Sequence, residues 1–360
     1  MKTTLSPMLA AAVLASWLLP ATADLKKDRE DGRAVFAAHC SRCHGERGGD
    51  TTLYPGIKSL VDITQRMTPR EVIDKSRGFV SVALNPSESA TLFAFLDTLR
   101  AGNFATPELL LETSWVAVNG AATGVRIVDL RRPEAYRAGH IPGAVQMDEA
   151  YFRDASDKET YQPSPARISE LLSAAGVAPS DHLVLYDDQG GRSATRMWYA
   201  LQIVGHARIS VVNGGWNKWK AEGRAVQTEA PPVVATSYKP ATSVVPACPS
   251  AEVLARKPGV VFLDVRTAAE YGLGRIPGAV NVDWTQSLIG PNQTFRPAAE
   301  LKKLFADAGL TPDKEIVTYC ATGGRASHTL FTLKLLGYPK VRMYYGSFTD
   351  YAARNAPLEK

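Results

Sequence analysis

The chain repeats itself. The stretch "IVDLRRPEAYRAGHIPGAVQMD" (Ile127–Asp148) recurs as "FLDVRTAAEYGLGRIPGAVNVD" (Phe262–Asp283). "LVLYDDQGGRSA" (Leu183–Ala194) recurs as "IVTYCATGGRAS" (Ile316–Ser327), and "ISVVNGGWNKW" (Ile209–Trp219) as "VRMYYGSFTDY" (Val341–Tyr351). Motifs that recur in the same order at so long a spacing mean a duplicated domain, not a short solenoid repeat. Each copy alternates short β-branched runs with helical patterns: "RIVDL", "HLVLYD" and "ISVVN" answer to "VVFLDV", "EIVTYC" and "VRMYY". That alternation predicts an α/β layer with a parallel sheet. In such sheets the working loops lie past the carboxyl ends of the strands. The copies are expected at residues 107–229 and 251–360. Between them lies a linker, residues 230–250, rich in Pro, Ser and Thr and without periodicity.

The sequence before the repeat has another texture. Lys2, the apolar run "MLAAAVLASWLL" and Ala21-Thr22-Ala23 read as a secretory signal over residues 1–23. The run is short for a membrane span, and no later run is long and apolar enough to cross a bilayer. A periplasmic chain with no membrane span after signal cleavage is expected. Residues 24–103 read as a small all-α unit. "KKDREDGRAVFAAH" leads as a helix into Cys40, and Thr68, Pro69 and Glu71 open a second helix. A closing helix sets Leu92, Phe93, Phe95, Leu96 and Leu99 largely on one side. The net charge of +5 is small and diffuse, which argues against a nucleic-acid partner.

Cys40-Ser41-Arg42-Cys43-His44 carries chemistry. A redox disulfide pair would need a βαβ setting, but the flanks are helical. A zinc site would need two more ligands; the remaining cysteines, Cys248 and Cys320, belong elsewhere. Covalent haem c accounts for the whole motif, with thioether bonds to Cys40 and Cys43 and His44 as proximal iron ligand. The unit resembles a class I cytochrome c. The resemblance gives Pro55 a carbonyl contact to the histidine's other nitrogen. The usual methionine-bearing loop before the last helix has no methionine here. Met67 is the candidate distal ligand, with Lys58, Lys75 or an open position as alternatives; its bland role is a hydrophobic staple ahead of Thr68.

Cys320 ends an expected strand and is followed by "ATGGRA" and a helical run. Backbone N–H groups at such a strand–loop–helix junction stabilise an anion and activate a thiol. The two copies resemble rhodanese domains. Together they look like a tandem sulfurtransferase of the thiosulfate/3-mercaptopyruvate type, carried by "HIPGA" and "RIPGA", "NGGWNKW" and "CATGGRA". The resemblance implies Cys320 as nucleophile and an anion cradle from Ala321, Thr322, Gly323, Gly324, Arg325 and Ala326. It also implies that Arg196 of the first copy faces the cleft. Asp187 stands where the second copy has Cys320, so the first copy is expected to be non-catalytic. Thiosulfate-specific members tend to carry basic residues where Ala321 and Thr322 stand, and the family often has a second arginine where Gln202 stands. Asp129, Arg131, Asp264 and Arg266 recur in both copies, which points to a fold-level role. Cys248 reads as incidental, though it could pair with Cys320 in an oxidising compartment. His140, His182, His206 and His328 lack metal-ligand spacing.

The expectation is a multidomain chain: an all-α cytochrome c domain followed by two α/β rhodanese domains with parallel sheets. Its function is expected to be an exported sulfurtransferase with one haem c. Sulfane sulfur would pass from a small anionic donor through Cys320 to a thiol or cyanide, with a redox partner protein for the haem. The rival is a non-enzymatic persulfide carrier.

Overall fold

The computed structural model describes residues 25–40, 88, 92, 96, 104–148, 152, 161–241 and 248–360. The chain divides into two units, residues 1–96 with 122–124, and residues 97–121 with 125–360. In the first unit, α1 (Leu25–His39) covers the helix expected ahead of Cys40. The Cys40 N–H closes the last turn on the Phe36 carbonyl at 2.7 Å, and Phe36 is buried. Leu92 and Leu96, one turn apart, are helical and buried, as the amphipathic pattern requires. Cys43, His44, Pro55, Lys58, Met67, Thr68 and Lys75 lie outside the described residues.

The second unit holds the two copies. The first contains β1 (Leu110–Leu111), α2 (Thr113–Asn119), β2 (Val125–Asp129), α3 (Pro133–Arg137) and β3 (Val145–Gln146). It continues with α4 (Pro165–Ala174), β4 (His182–Tyr186), α5 (Arg192–Ile203), β5 (Ile209–Val212) and α6 (Gly215–Ala221). Its strands pair in the order β1-β5-β4-β2-β3, all parallel. The second copy contains α7 (Ser250–Ala255), β6 (Val260–Asp264), α8 (Ala268–Leu273), β7 (Val280–Asn281) and the hairpin β8 (Leu288–Ile289) and β9 (Thr294–Phe295). It closes with α9 (Ala298–Asp307), β10 (Glu315–Tyr319), α10 (Gly324–Leu335), β11 (Val341–Met343) and α11 (Ser347–Ala353). Its parallel sheet runs β11-β10-β6-β7, the order β5-β4-β2-β3 repeated. Helices cover both faces, so the central strands read as apolar runs; every residue of β4 is buried.

The recurring Asp–Arg motif ties each copy together. Arg131 grips Asp129 through Nε at 3.0 Å and Nη2 at 2.6 Å, then reaches the Gly139 carbonyl at 2.7 Å. Arg266 repeats this on Asp264, at 2.9 and 2.6 Å, and on the Gly274 carbonyl at 2.7 Å. Each guanidinium lies over an aromatic ring, Trp216 at 4.0 Å or Phe348 at 3.9 Å. All four charged residues are buried, so the pairing offsets the cost of their burial. The same bonds in both copies fix the loop after β2 in one sheet and after β6 in the other, the fold-level role expected.

One core runs through both copies. Trp198 of α5 meets Phe331 of α10 edge to face at 5.1 Å, and Phe295 packs on Phe331 at 5.7 Å. These two helices follow the two equivalent loops, so the packing sets both loops at the seam. Cys248 is not incidental to the fold. It is buried among Val253, Phe262, Val317, Tyr319 and Tyr344, and burial pushes its thiol up to about 12. Cys248 and Cys320 are both free thiols.

Candidate active site

Cys320 follows β10 directly and is 1% exposed. Its backbone is held on both sides: its N–H donates to Ser347 Oγ at 3.2 Å, and its carbonyl accepts the Phe348 N–H at 2.9 Å. The Gly323 N–H points back at the Cys320 sulfur, 3.1 Å away. That turn needs φ +88° at Gly323; a Cβ there would also stand 3.0 Å from the Tyr345 carbonyl and 3.3 Å from Arg196 Nη2. Gly324 opens α10, Ala326 is buried in its first turn, Ala321 is half-buried and Thr322 is exposed at the loop tip.

Arg196 comes from α5 of the first copy and reaches the Cys320 loop. Its Nη2 donates to the Thr322 carbonyl, and its guanidinium lies over the Tyr345 ring at 5.5 Å. It is 1% exposed, and its Nε has no hydrogen-bond partner among the described residues. The seam has a return contact. His328 of α10 meets the Gly190 carbonyl of the first copy's loop at 3.1 Å through Nε2. Phe295 stacks on its ring at 4.8 Å, and burial lowers its pKa to about 3.

The first copy shows what this loop shape binds. Asp187 replaces the cysteine, and its carboxylate fills the loop. One oxygen accepts the N–H groups of Gln189 and Gly191, each at 2.9 Å. The other accepts those of Ser193 at 2.7 Å and Ala194 at 2.9 Å. Burial pushes this carboxyl up, and the four N–H groups oppose that push. The loop is therefore an anion cradle, occupied in the first copy by its own side chain.

The structure brings Cys320, its loop and Arg196 together. Arg325 stands in the same loop, but both terminal nitrogens are on Glu270, at 2.7 and 2.8 Å. Glu270 belongs to a capping box with Thr267 at the start of α8. Arg325 holds its carboxyl down at about 2. Glu270 and Ser347 were not singled out from the sequence. Thr267-x-x-Glu270 is legible as a cap, and Glu270 has no acidic counterpart in the first copy, where Ala135 stands. Of the haem-binding set only Cys40 is described: it lies half-exposed just past α1. Among the described residues no cluster of His, Cys, Asp and Glu could hold a metal ion.

Comparison with known proteins agrees with this geometry. The rhodanese-like domain model matches residues 112–222 and 250–354. A thiosulfate sulfurtransferase of Corynebacterium glutamicum is 34% identical over 69% of this chain and 89% of its own length. The sulfur carrier protein TtuD of Thermus thermophilus is 33% identical, over 69% of this chain and 95% of its own. The solved structure of the 3-mercaptopyruvate sulfotransferase SseA from Escherichia coli matches with a TM-score of 0.61 at 26% identity, over 67% of this chain and 98% of its own. With two matched domains and relatives of this kind, the chain belongs to the rhodanese family and is a tandem-domain sulfurtransferase.

Proposed function

We propose that Cys320 carries sulfane sulfur from a small anionic donor of the thiosulfate or 3-mercaptopyruvate class to a thiol or cyanide. The observation that carries this reading is the first copy's loop, which binds a carboxylate through four N–H groups where the second copy presents a thiol. The Cys320 thiolate attacks the donor's outer sulfur. The new S–S bond forms as the donor's bond to that sulfur breaks, and the donor remnant leaves with the electron pair, as sulfite does from thiosulfate. The loop N–H groups and Arg196 face the negative charge of donor and persulfide. Cyanide or a thiolate then takes the outer sulfur, and the Cys320 thiolate is restored with its electron pair. The cycle is redox-neutral. Asp187 cannot perform it, so the first copy acts as scaffold and supplies Arg196.

The reading extends to the first unit as an exported, periplasmic cytochrome c-like domain. The donor set fits haem c: Cys40 stands half-exposed at a helix end, with Cys43 and His44 following in the motif. Cys40 and Cys43 would hold the group, His44 would ligate the iron, and Met67 would take the distal position. Bound haem would supply one-electron transfer, to a redox partner or in sulfur oxidation. Haem bound this way stays with the polypeptide on acid–acetone extraction; its release refutes the attachment.

A persulfide carrier is the second reading, favoured by the likeness to a sulfur carrier protein. Turnover with several sulfane donors and cyanide separates the two. Multiple turnovers to thiocyanate support the enzyme. A single loading, discharged only by a partner, supports the carrier.

A further inference from the structure

The arginine of the loop is treated differently in the two copies. Arg325 is held in a fork by Glu270, with bonds of 2.7 and 2.8 Å. Its counterpart is Arg192, and Ala135 stands where Glu270 would be, so the first copy cannot form this pair. The Asp129–Arg131 and Asp264–Arg266 pairs, by contrast, occur in both copies. A pair found only in the copy that carries the thiol belongs with the chemistry rather than the fold. We propose that Glu270 is a positioning residue for sulfur transfer: it fixes Arg325 beside Cys320 and balances its charge, so that the loop disfavours doubly charged donors relative to singly charged ones. This rests on the sulfurtransferase reading above.

The charges around the thiol support it. Glu270 holds the Arg325 proton, and the nearby Cys320 acts in the same direction. The two-pronged geometry leaves the guanidinium little freedom to swing toward a donor. Glu270 is kept ionised by Arg325, so the balance persists across neutral pH. Ala321 and Thr322 add no charge. Arg196, which has no carboxylate partner among the described residues, is then the unbalanced cation at the loop. A site with one unbalanced cation attracts a second negative charge weakly.

The test compares thiosulfate with methanethiosulfonate, in which a methyl group replaces one oxygen and one charge is lost. The readout is the second-order rate of sulfur loading onto Cys320, followed by mass spectrometry in the full-length protein. Glu270→Gln frees the charge of Arg325 and is expected to raise the thiosulfate-to-methanethiosulfonate rate ratio by about twofold to fivefold, the range for partly exposed ion pairs. Glu270→Asp keeps the charge and is expected to keep the ratio, even where both rates fall because the fork is looser. Thr267→Ala removes the hydroxyl's bond to Glu270 Oε2 but keeps both charges of the pair, and should leave the ratio unchanged. An unchanged ratio in Glu270→Gln, an equal shift in Thr267→Ala, or a wild type loaded by thiosulfate alone overturns the inference while sulfur transfer stands. A wild type loaded by neither donor overturns the transfer reading and this inference with it.

Discussion

At the scale of single residues, position 187 and position 320 are one site with two occupants. Cys320→Ser retains the loop but not the nucleophile, and is expected to abolish sulfur loading, measured as added mass on the protein. Persistent loading in the serine variant would mean that another thiol does the work. Asp187→Ala removes no nucleophile, so transfer per folded molecule should stay near wild type. It leaves four N–H groups without their acceptor, and a loss of about 3 kcal/mol is expected in denaturant unfolding. The equivalence of Cys320 and Asp187 was legible because the repeat aligns them, and the structure sets both in the same loop shape. Glu270 was not legible as a partner of Arg325: the two are distant in sequence, and a lone acid in a capping box explains itself. Cys248 was misread for a similar reason. Nothing in a Pro- and Thr-rich stretch says that one residue of it closes a core.

At the scale of elements, the strands that carry the sheets were legible from their apolar, β-branched runs, and both sheets are parallel as expected. The edge strand β1 and the hairpin β8–β9 were not, because two-residue strands have no period to read. The packing of α5 on α10 is likewise a tertiary fact, and it buries His328. Among the described residues the ring makes one hydrogen bond, to the Gly190 carbonyl, and its Nδ1 has no hydrogen-bond partner. Its folded pKa of about 3 lies below the ordinary value of 6.5, so the folded state binds fewer protons than the unfolded chain. Its contribution to stability is therefore complete above about pH 6.5 and is lost as pH falls toward about 3, by up to about 5 kcal/mol. Unfolding of wild type and His328→Gln between pH 7 and pH 4 checks this. The stability gap between them should narrow as pH falls; a constant gap would show that the histidine does not titrate with folding.

At the scale of the whole second unit, duplication made the site and then divided its labour. The second copy supplies the thiol and its loop. The first supplies Arg196, whose Nη2 holds the Thr322 carbonyl while the face of the guanidinium rests by Tyr345. A buried arginine whose Nε has no partner among the described residues, beside a loop of the shape that holds the Asp187 carboxylate in the first copy, is expensive to keep unless an anion arrives. Arg196→Met preserves the length and apolar packing of the stem but removes the charge and the bond to the loop. It is expected to lower kcat/KM for thiosulfate by about 30-fold to 100-fold, the scale of a lost buried charge contact. Arg196→Lys returns the charge without the fork and should recover part of that loss, chiefly in KM. Steady-state rates of thiocyanate formation with folded variants decide the matter. If Arg196→Met matches wild type in kcat/KM, the donor does not use the first copy's cation, and the contact across the seam only holds the two copies together.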